Sequence, residues 1–431
     1  MASDDKLCPE LYDYIIDFLH DDEPALRASA LVCHSWLPAS RFHLFCDLKL
    51  TGSGPSPTNS WAQDTSCRRI FGTVLSSPHI ASYIKTLSVV ESNVVRPSTY
   101  RWVSGEITFP ALLKKLASVR ALEFNFPPPC PADTKTSWST MVFRDISDAM
   151  SAMILDSLTL RHFLFTSLAD FVKILDSSRH LKTLQLDHVD IATANHLTPS
   201  ALDHFLGLQP FGSLTRNFTK KACIETLLLR SNSSYLIIPV LLHTFSSLDF
   251  SNLRSLIMNV TPDSYNNVLE LLKCVPSLES LELEIDHDFD YDAHLDHKDV
   301  IDMSFLRYLK SLSLQSSVLL GRTEPLRWLL ATLSTSAHAN TLQDLSLTCI
   351  VDKPPPTVTI QAFDNILIGW RNLDDLLTQP TFASMRRFRL DFALDDPIGD
   401  ESAELISQEF VKQLQGLRGK GILEVDVCEV R

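Results

Sequence analysis

The acidic stretch 279–299 carries residue types that could bind a cation. Aspartates occupy every second position of 286–292, a spacing that calcium loops also use. Tyr291, however, stands where an EF-hand loop needs glycine, and His297 stands where it needs a bidentate glutamate. Three histidines lie among these carboxylates, but their spacing fits no closed structural zinc site: His287, His294 and His297. We therefore predict a solvated acidic loop without a metal, which could steer basic partners toward the protein.

The other residues with chemical potential form no catalytic arrangement. Three glycines lie close together at Gly416, Gly419 and Gly421. Their spacing is not that of G-x-G-x-x-G, and they precede a strand pattern instead of following one. No G-x-S-x-G, H-E-x-x-H or P-loop sequence occurs. The nine cysteines are scattered and form no C-x-x-C pair, which favours buried reduced thiols. The sequence thus predicts a protein that is not an enzyme and that has no catalytic residue, metal or cofactor.

Composition and charge restrict the class of partner. The chain has 431 residues, with 38 Lys+Arg against 52 Asp+Glu, and no basic run that could grip a nucleic-acid backbone. The first residues are acidic and polar, unlike a secretory signal, and the longest strongly apolar stretch, 235–245, is about half of what a membrane span needs. We expect a cytoplasmic or nuclear protein that binds neither nucleic acid nor membrane.

One pattern, apolar-x-x-apolar-x-apolar, recurs along most of the chain. Clear copies occupy 181–186 and 278–283, and weaker ones occupy 385–390 and 422–427. The twelve copies begin at residues 45, 84, 119, 155, 181, 224, 253, 278, 309, 342, 385 and 422. The eleven steps between them average about 34 residues. Alternation of apolar and polar residues inside each copy predicts a short strand with one buried face.

Helical patterns lie between the copies, for example at 264–274 and 324–334. Strand followed by helix at a regular spacing predicts an α/β repeat that stacks as a solenoid. The region resembles leucine-rich repeats, although the Asn or Cys that this family places after the third apolar position is mostly replaced: Asp187, Arg230, Glu284 and Gln315 stand there. The resemblance implies an irregular solenoid over 47–431, with a parallel sheet on its concave face. An ordinary α/β domain with leucine-rich parallel strands is the alternative.

Residues 5–46 lack the strand pattern and predict two or three short helices. Pro9 and Glu10 suit the first turn of a helix, and Pro24 and Pro38 suit the starts of two more. The first helix has one apolar face: Leu11, Ile15, Ile16 and Leu19. The second helix is expected to direct four side chains toward the interior: Leu26, Ala30, Leu31 and Cys33. So short a unit buries little surface alone, so we expect it to dock on the repeats, on a partner, or on both.

The same segment resembles an F-box. The residues that carry the resemblance are L-x-P-E-L-x-x-x-I-I-x-x-L at 7–19 and L-x-x-x-x-L-V-C-x-x-W at 26–36. The continuation P-A-S-R-x-H-L-F at 38–45 is similar to many F-box proteins of mushroom-forming fungi. Cys8 and His34 depart from the residues most frequent in the family, but neither changes the apolar face.

The resemblance implies that 5–46 binds the Skp-type adaptor of a cullin–RING ubiquitin ligase, the SCF complex. The repeats would then hold a protein substrate for ubiquitination. By matching positions, the adaptor contacts would come from Leu7, Pro9, Glu10, Leu11, Ile15, Ile16, Leu19, Leu31, Val32, Cys33 and Trp36. Of these, we expect Leu19, Leu31 and Trp36 to pack inside the helical unit instead.

The substrate would lie on the concave face, where the residues between the strand leucines point. The candidate substrate residues are Gln185, Leu228, Arg230, Ile257, Glu282 and Glu284. Leu228 and Ile257 are expected to be exposed apolar neighbours that could anchor a partner, unless an inserted loop buries them. Two other functions stay open: a non-catalytic repeat scaffold whose helical N-terminus merely caps the stack, and an enzyme built on an α/β repeat.

Overall fold

A computed structural model of the chain describes fourteen segments. They are 8–52, 65–91, 102–126, 140–165, 167–191, 221–230, 234–242, 247–286, 300–317, 324–335, 341–351, 360–394, 408 and 410–429. The described residues fall into two compact units. The first holds those from 8 to 222 together with 247 and 248, and the second holds those from 223 to 429 apart from these two.

The first unit combines helices with a parallel sheet. Its strands, in spatial order, are β1 Asp47–Gly52, β2 Thr86–Glu91, β3 Ala121–Asn125, β4 Ser157–Arg161 and β5 Thr183–Asp187. Its helices are α1 Pro9–Asp17, α2 Glu23–Ser29, α3 Leu37–Phe45, α4 Ser66–Ser76, α5 Trp102–Gly105, α6 Phe109–Lys115, α7 Thr140–Met150 and α8 Leu168–Ser177. Each strand pairs in parallel with the next strand along the chain.

The second unit is built in the same way. Its strands, in spatial order, are β6 Thr226–Arg230, β7 Ser255–Val260, β8 Ser280–Ile285, β9 Ser311–Ser317, β10 Asp344–Val351, β11 Arg387–Leu394 and β12 Leu423–Glu429. Its helices are α9 Ser234–Leu242, α10 Tyr265–Lys273, α11 Glu324–Ser334, α12 Ile360–Leu377 and α13 Gln415–Gly419. Short elements complete the two units: the 3-10 helices Pro78–Ser82, Met303–Phe305 and Pro380–Phe382, and the two-residue strands Leu164–Phe165, Asp190–Ile191, Ala222–Cys223 and Leu248–Asp249.

The predicted α/β fold with parallel strands is therefore confirmed. All twelve copies of the pattern coincide with numbered strands, and the helices predicted at 264–274 and 324–334 are α10 and α11. Alternate residues of a strand are buried, as β8 illustrates: Leu281, Leu283 and Ile285 are buried, while Glu282 and Glu284 are half-exposed. Successive side chains of a strand point to opposite faces, so this alternation divides each strand between core and surface.

A forked hydrogen bond stands at the start of most strands. The carbonyl oxygen of Cys46 accepts the amide of Lys85 at 2.8 Å and that of Thr86 at 2.9 Å. The same fork recurs at the residue before each of eight other strands: Lys85, Arg120, Asp156, Glu225, Arg254, Glu279, Lys310 and Gln343. Each forked carbonyl accepts the amides of two consecutive residues at the start of the next strand. This contact fixes the register in which the next strand pairs.

The last copy of the pattern was assigned two residues too late. In the sheet, Phe388 pairs with Leu423 and Leu390 pairs with Val425, so Leu423 and Val425 take the two strand positions assigned to Val425 and Val427. The forked carbonyl is also replaced here, because the amide of Phe388 donates to the carbonyl of Ile422 at 2.8 Å. A shift of two residues keeps each side chain on the expected face, which is why the strand itself was found.

Glu106 holds the start of α4 against the turn before α6. Its side chain is 2% exposed and accepts hydrogen bonds from the hydroxyls of Thr65 and Thr108, both at 2.7 Å, and from Nε of Arg68 at 3.2 Å. Thr65 in turn caps α4 by accepting the amide of Arg68 at 3.1 Å. Burial by itself would raise the pKa of Glu106, but the hydrogen bonds from Thr108, Thr65 and Arg68 outweigh it and lower that pKa.

The pH dependence of Glu106→Gln tests this arrangement. Because the folded-state pKa is lowered, the carboxylate contributes stability at neutral pH that is lost as pH falls through that pKa. We expect Glu106→Gln to lower the free energy of unfolding by about 1–3 kcal/mol at pH 7, with a smaller difference from the wild type in acid. Urea unfolding at several pH values measures it, with the exposed Glu270→Gln as control. A difference that stays constant with pH would contradict the assignment.

A pair of neighbouring residues in β9 tests the division between core and surface. Leu312 is 2% exposed and Ser313 is half-exposed on the opposite face. We expect Leu312→Ala to lower the free energy of unfolding by about 2–5 kcal/mol, because it leaves a cavity. Ser313→Ala should change it by about 0.5 kcal/mol or less. Urea unfolding of both variants gives the comparison, and equal effects would mean that the face assignment of β9 is wrong.

Candidate functional site

Proline and aspartate residues define the starts of the three N-terminal helices. Pro9 occupies the first turn of α1 and Pro38 the first turn of α3, where a missing amide breaks no helical hydrogen bond. Asp22 caps α2 by accepting the amide of Ala25 at 2.9 Å. The local sequence therefore specifies three helices of nine, seven and nine residues.

One side of this segment forms a small core. Ile16 of α1 and Leu26 of α2 are fully buried, and Trp36 is half-buried. The ring of His43 lies 2.8 Å, Nε2 to Oδ1, from the carboxylate of Asp17, which joins α3 to α1. These contacts give the segment a fixed inner side.

The other side exposes large apolar side chains. We call this set the N-terminal apolar surface: Leu11, Tyr14 and Ile15 of α1 and Phe18 directly after it, with Leu31 and Val32 of the turn after α2. Phe18 is 70% exposed and Leu31 is 88% exposed. The rings of Tyr14 and Phe18 meet edge to face, with centroids 4.8 Å apart. So many exposed apolar side chains on short helices are typical of a surface that binds another protein.

The predicted adaptor residues divide between this surface and the core. Glu10, Leu11, Ile15, Leu31, Val32 and Cys33 are exposed, Leu19 and Trp36 are half-buried, and the backbone of Pro9 starts α1. Leu7 lies outside the described residues. Ile16 was wrongly assigned to the contact, because it is fully buried. The inward orientation expected of Leu31 and Cys33 is also wrong: α2 ends at Ser29, so the helical periodicity does not reach them.

Tyr14 and Phe18 were missed by the sequence reasoning. Together with Leu11 and Ile15 they follow the spacing i, i+3, i+4 and i+7, which marks a second apolar face on α1. Only one apolar face was predicted for α1, the one that contains Ile16. The signal was therefore present in the sequence, and it separates the exposed face from the buried one.

The sheet face of the first unit carries Gln185 among polar residues. Its strand neighbour is Thr159, whose hydroxyl donates to Oε1 of Gln185 at 3.3 Å. Nearby on this face, Nε of Arg161 lies 3.7 Å from the carboxylate of Glu123. Gln185 is half-buried, so it can contact a partner through part of its side chain.

The sheet face of the second unit carries the other five predicted substrate residues. Leu228 and Ile257 are register partners, and Ile257 has Glu282 as its partner on the other side. Both apolar residues were predicted to be exposed, and both are half-exposed. Nη2 of Arg230 donates to Glu282 at 3.1 Å, and Nε of Arg230 lies 3.7 Å from Glu284. The structure thus brings these five residues together.

No group of three or more metal-ligating side chains occurs among the described residues. The histidines and most aspartates of the predicted acidic loop, at 287–299, lie outside those residues. Seven described cysteines are free, and burial raises the pKa of Cys67 to about 11 and that of Cys349 to about 12, which keeps both as unreactive thiols.

Two of the closely spaced glycines near the C-terminus, Gly416 and Gly421, have structural explanations. Asp374 of α12 is buried and accepts the amides of Gly416 and Leu417, both at 2.8 Å, at the start of α13. A Cβ atom at Gly416 would lie 2.5 Å from the side chain of Thr378, so only glycine fits this approach. Gly421 has a positive φ of 71°, which glycine adopts without strain.

Comparison with known proteins does not assign the chain to a family. No protein-family model matches the chain, and no curated protein matches it either. None of the helices in the described part of the chain combines the length and the apolarity that crossing a membrane requires.

Adjacent isoleucines of α1 test the division of the candidate site. Ile16 is fully buried, whereas Ile15 is 40% exposed. We expect Ile16→Ala to lower the free energy of unfolding by about 2–5 kcal/mol, and Ile15→Ala by about 1 kcal/mol or less. Hydrogen exchange of the amides of α1 and α3 measures the local effect. Equal loss of protection in both variants would contradict the assignment of Ile15 to the outer side.

Proposed function

We propose that the chain is the substrate-recognition subunit of an SCF-type ubiquitin ligase. In this proposal, 5–46 is an F-box that docks on the Skp-type adaptor, and 47–431 is a leucine-rich-repeat-like solenoid that holds the substrate. The observation that carries the proposal is the N-terminal apolar surface, because four of its six residues occupy positions that the F-box resemblance assigns to the adaptor: Leu11, Ile15, Leu31 and Val32. The parallel strands support the solenoid: most of them are followed by helical chain, and nine of the twelve are preceded by a forked carbonyl.

The two faces of α1 give the proposal a physical basis. The inner face, through Ile16, joins α1 to the small core, so the outer face can bind a partner without unfolding the segment. Apolar anchors ringed by charged residues are the usual centre of a protein interface. Asp13, Asp17 and Asp21 are exposed around these anchors and would form the rim.

The proposed receptor would perform no chemistry itself. Binding the adaptor at one end and a substrate on the sheet face places substrate lysines near the ubiquitin-loaded enzyme. The rate of transfer then rises because the effective concentration rises.

A scaffold function is the second candidate. Helix α3 contacts β1, and Cys46, at the junction between them, supplies the first forked carbonyl. These contacts favour a helical cap for the strand array, since the end of a repeat stack needs a cover. A cap alone, however, does not need exposed apolar side chains on its outer side.

Co-purification with a Skp-type adaptor tests the proposed function. We expect the wild-type chain to retain the adaptor in stoichiometric amount. Leu11→Asp combined with Leu31→Asp should weaken binding by about 30-fold or more, because it places two carboxylates in an apolar contact. Both positions are exposed, so the variant should keep the melting temperature of the wild type.

The control variant is Ile107→Asp, which places a carboxylate on an isoleucine that is 84% exposed and lies outside the N-terminal segment. It should retain the adaptor fully. A folded wild-type chain that captures no adaptor would overturn the receptor function and leave the capped scaffold.

A further inference from the structure

An incomplete ionic cluster lies on the sheet face of the second unit. One guanidinium, that of Arg230, faces the two carboxylates of Glu282 and Glu284, so the cluster keeps an excess negative charge. Its contact of 3.7 Å with Glu284 is too long for a hydrogen bond. The three side chains are between 36% and 38% exposed, so a ligand can reach them.

Asn259 adds a hydrogen-bond acceptor at the same place. It is the register partner of Glu284 on the neighbouring strand. Its Oδ1 atom is shielded from solvent and has no hydrogen-bond partner among the described residues, and the same holds for Nε of Arg230. A shielded acceptor without a donor is unfavourable, and such groups in a folded protein call for an explanation. An additional cationic donor would satisfy Oδ1 of Asn259 and reduce the excess negative charge of the cluster.

The residues beside the cluster are apolar. Leu228, Ile257 and Glu282 follow one another across β6, β7 and β8. Neighbouring strands are about 4.8 Å apart, so the middle of the apolar pair lies roughly 7 Å from the position of Glu282. This is also about the distance between side chains i and i+2 of an extended peptide, which point to the same side.

The rest of this face also favours a cationic partner. Arg389 lies 2.8 Å from Asp391 and 3.7 Å from Asp426, and Arg387 lies 3.6 Å from Glu424. Six described carboxylates therefore share the face with three arginines, which are all engaged: Glu282, Glu284, Asp344, Asp391, Glu424 and Asp426, against Arg230, Arg387 and Arg389. An anionic segment would be repelled here, and a basic one attracted.

We propose that the sheet face of the second unit binds an extended basic segment of a protein, in the spacing apolar-x-basic. The apolar side chain lies over Leu228 and Ile257, and the lysine or arginine two residues away completes the cluster of Glu282, Glu284 and Asn259. This inference rests on the proposed function and names the class of substrate that the receptor takes.

Fluorescence anisotropy with the full chain tests the inference. The probe is a labelled peptide made of three copies of Leu-Ser-Lys-Ser. The comparison peptides replace each lysine by glutamate or each leucine by serine. We expect the first peptide to bind at least about tenfold more tightly than either comparison, and its affinity to fall as salt rises. Equal binding of the glutamate peptide would overturn the inference.

Matched variants locate the binding. Glu282→Gln with Glu284→Gln should weaken the lysine peptide about tenfold, and Leu228→Ser with Ile257→Ser should weaken it by a similar factor. Glu270→Gln with Asp375→Asn removes two exposed carboxylates from helices of the same unit and should leave binding unchanged. If this control weakens binding as much as the face variant does, attraction is non-specific and the inference is wrong.

Adaptor co-purification from the same preparations separates this inference from the proposed function. Retained adaptor without preference for the lysine peptide overturns the substrate class alone. A lysine preference that depends on Glu282 and Glu284, in a chain that captures no adaptor, supports the binding face and overturns the ligase assignment.

Discussion

The forked carbonyl at the start of most strands is the interaction on which the rest of the structure depends. Parallel pairing requires successive strands to begin at equivalent places, although the chain between them varies in length from one copy to the next. A single oxygen that accepts two consecutive amides, as that of Cys46 accepts Lys85 and Thr86, sets this starting point by backbone geometry alone. Side chains at these positions are consequently free to differ. The fork also explains how the strands stay in register although the residue after the third apolar position differs from copy to copy.

Register decides which side chains become core and which become surface. Since the faces of a strand alternate, a strand that starts one residue late would expose its leucines and bury its charges. In β8 the correct start buries Leu281 and Leu283 and leaves Glu282 and Glu284 outside. Only the buried set has to remain apolar. The exposed set can therefore vary from strand to strand, and in the second unit it combines an apolar pair with acidic residues. The chemistry of this face is carried by residues that the fold does not require.

The sequence predicts the structural features that repeat along the chain, and it does not predict those that occur once. The strand positions were predicted from an apolar–polar alternation that recurs twelve times. The same alternation predicted that Leu228 and Ile257 lie on one face of the sheet. Leu31 was misplaced because helix α2 ends before it, and helix ends depend on local hydrogen bonds that periodicity does not contain. The last copy was misplaced because Leu423, Val425 and Val427 alternate equally well in two registers. The contact of Arg230 with Glu282 joins residues that are 52 positions apart, and only the pairing of strands brings them together.

The N-terminal segment follows a different rule, because its size limits what it can bury. Helix α1 has apolar residues on two faces, and a segment of three short helices supplies a core for one of them. Ile16 occupies that core, and Phe18 and Leu31 remain in contact with water. Exposed apolar surface costs solubility, and large patches of it commonly mark sites of protein association. The strand array needs no such surface to be capped, since α3 already contacts β1. The fold of this chain therefore gives no reason for the outer face of α1 to be apolar, and in the proposed function that reason is the contact with the adaptor.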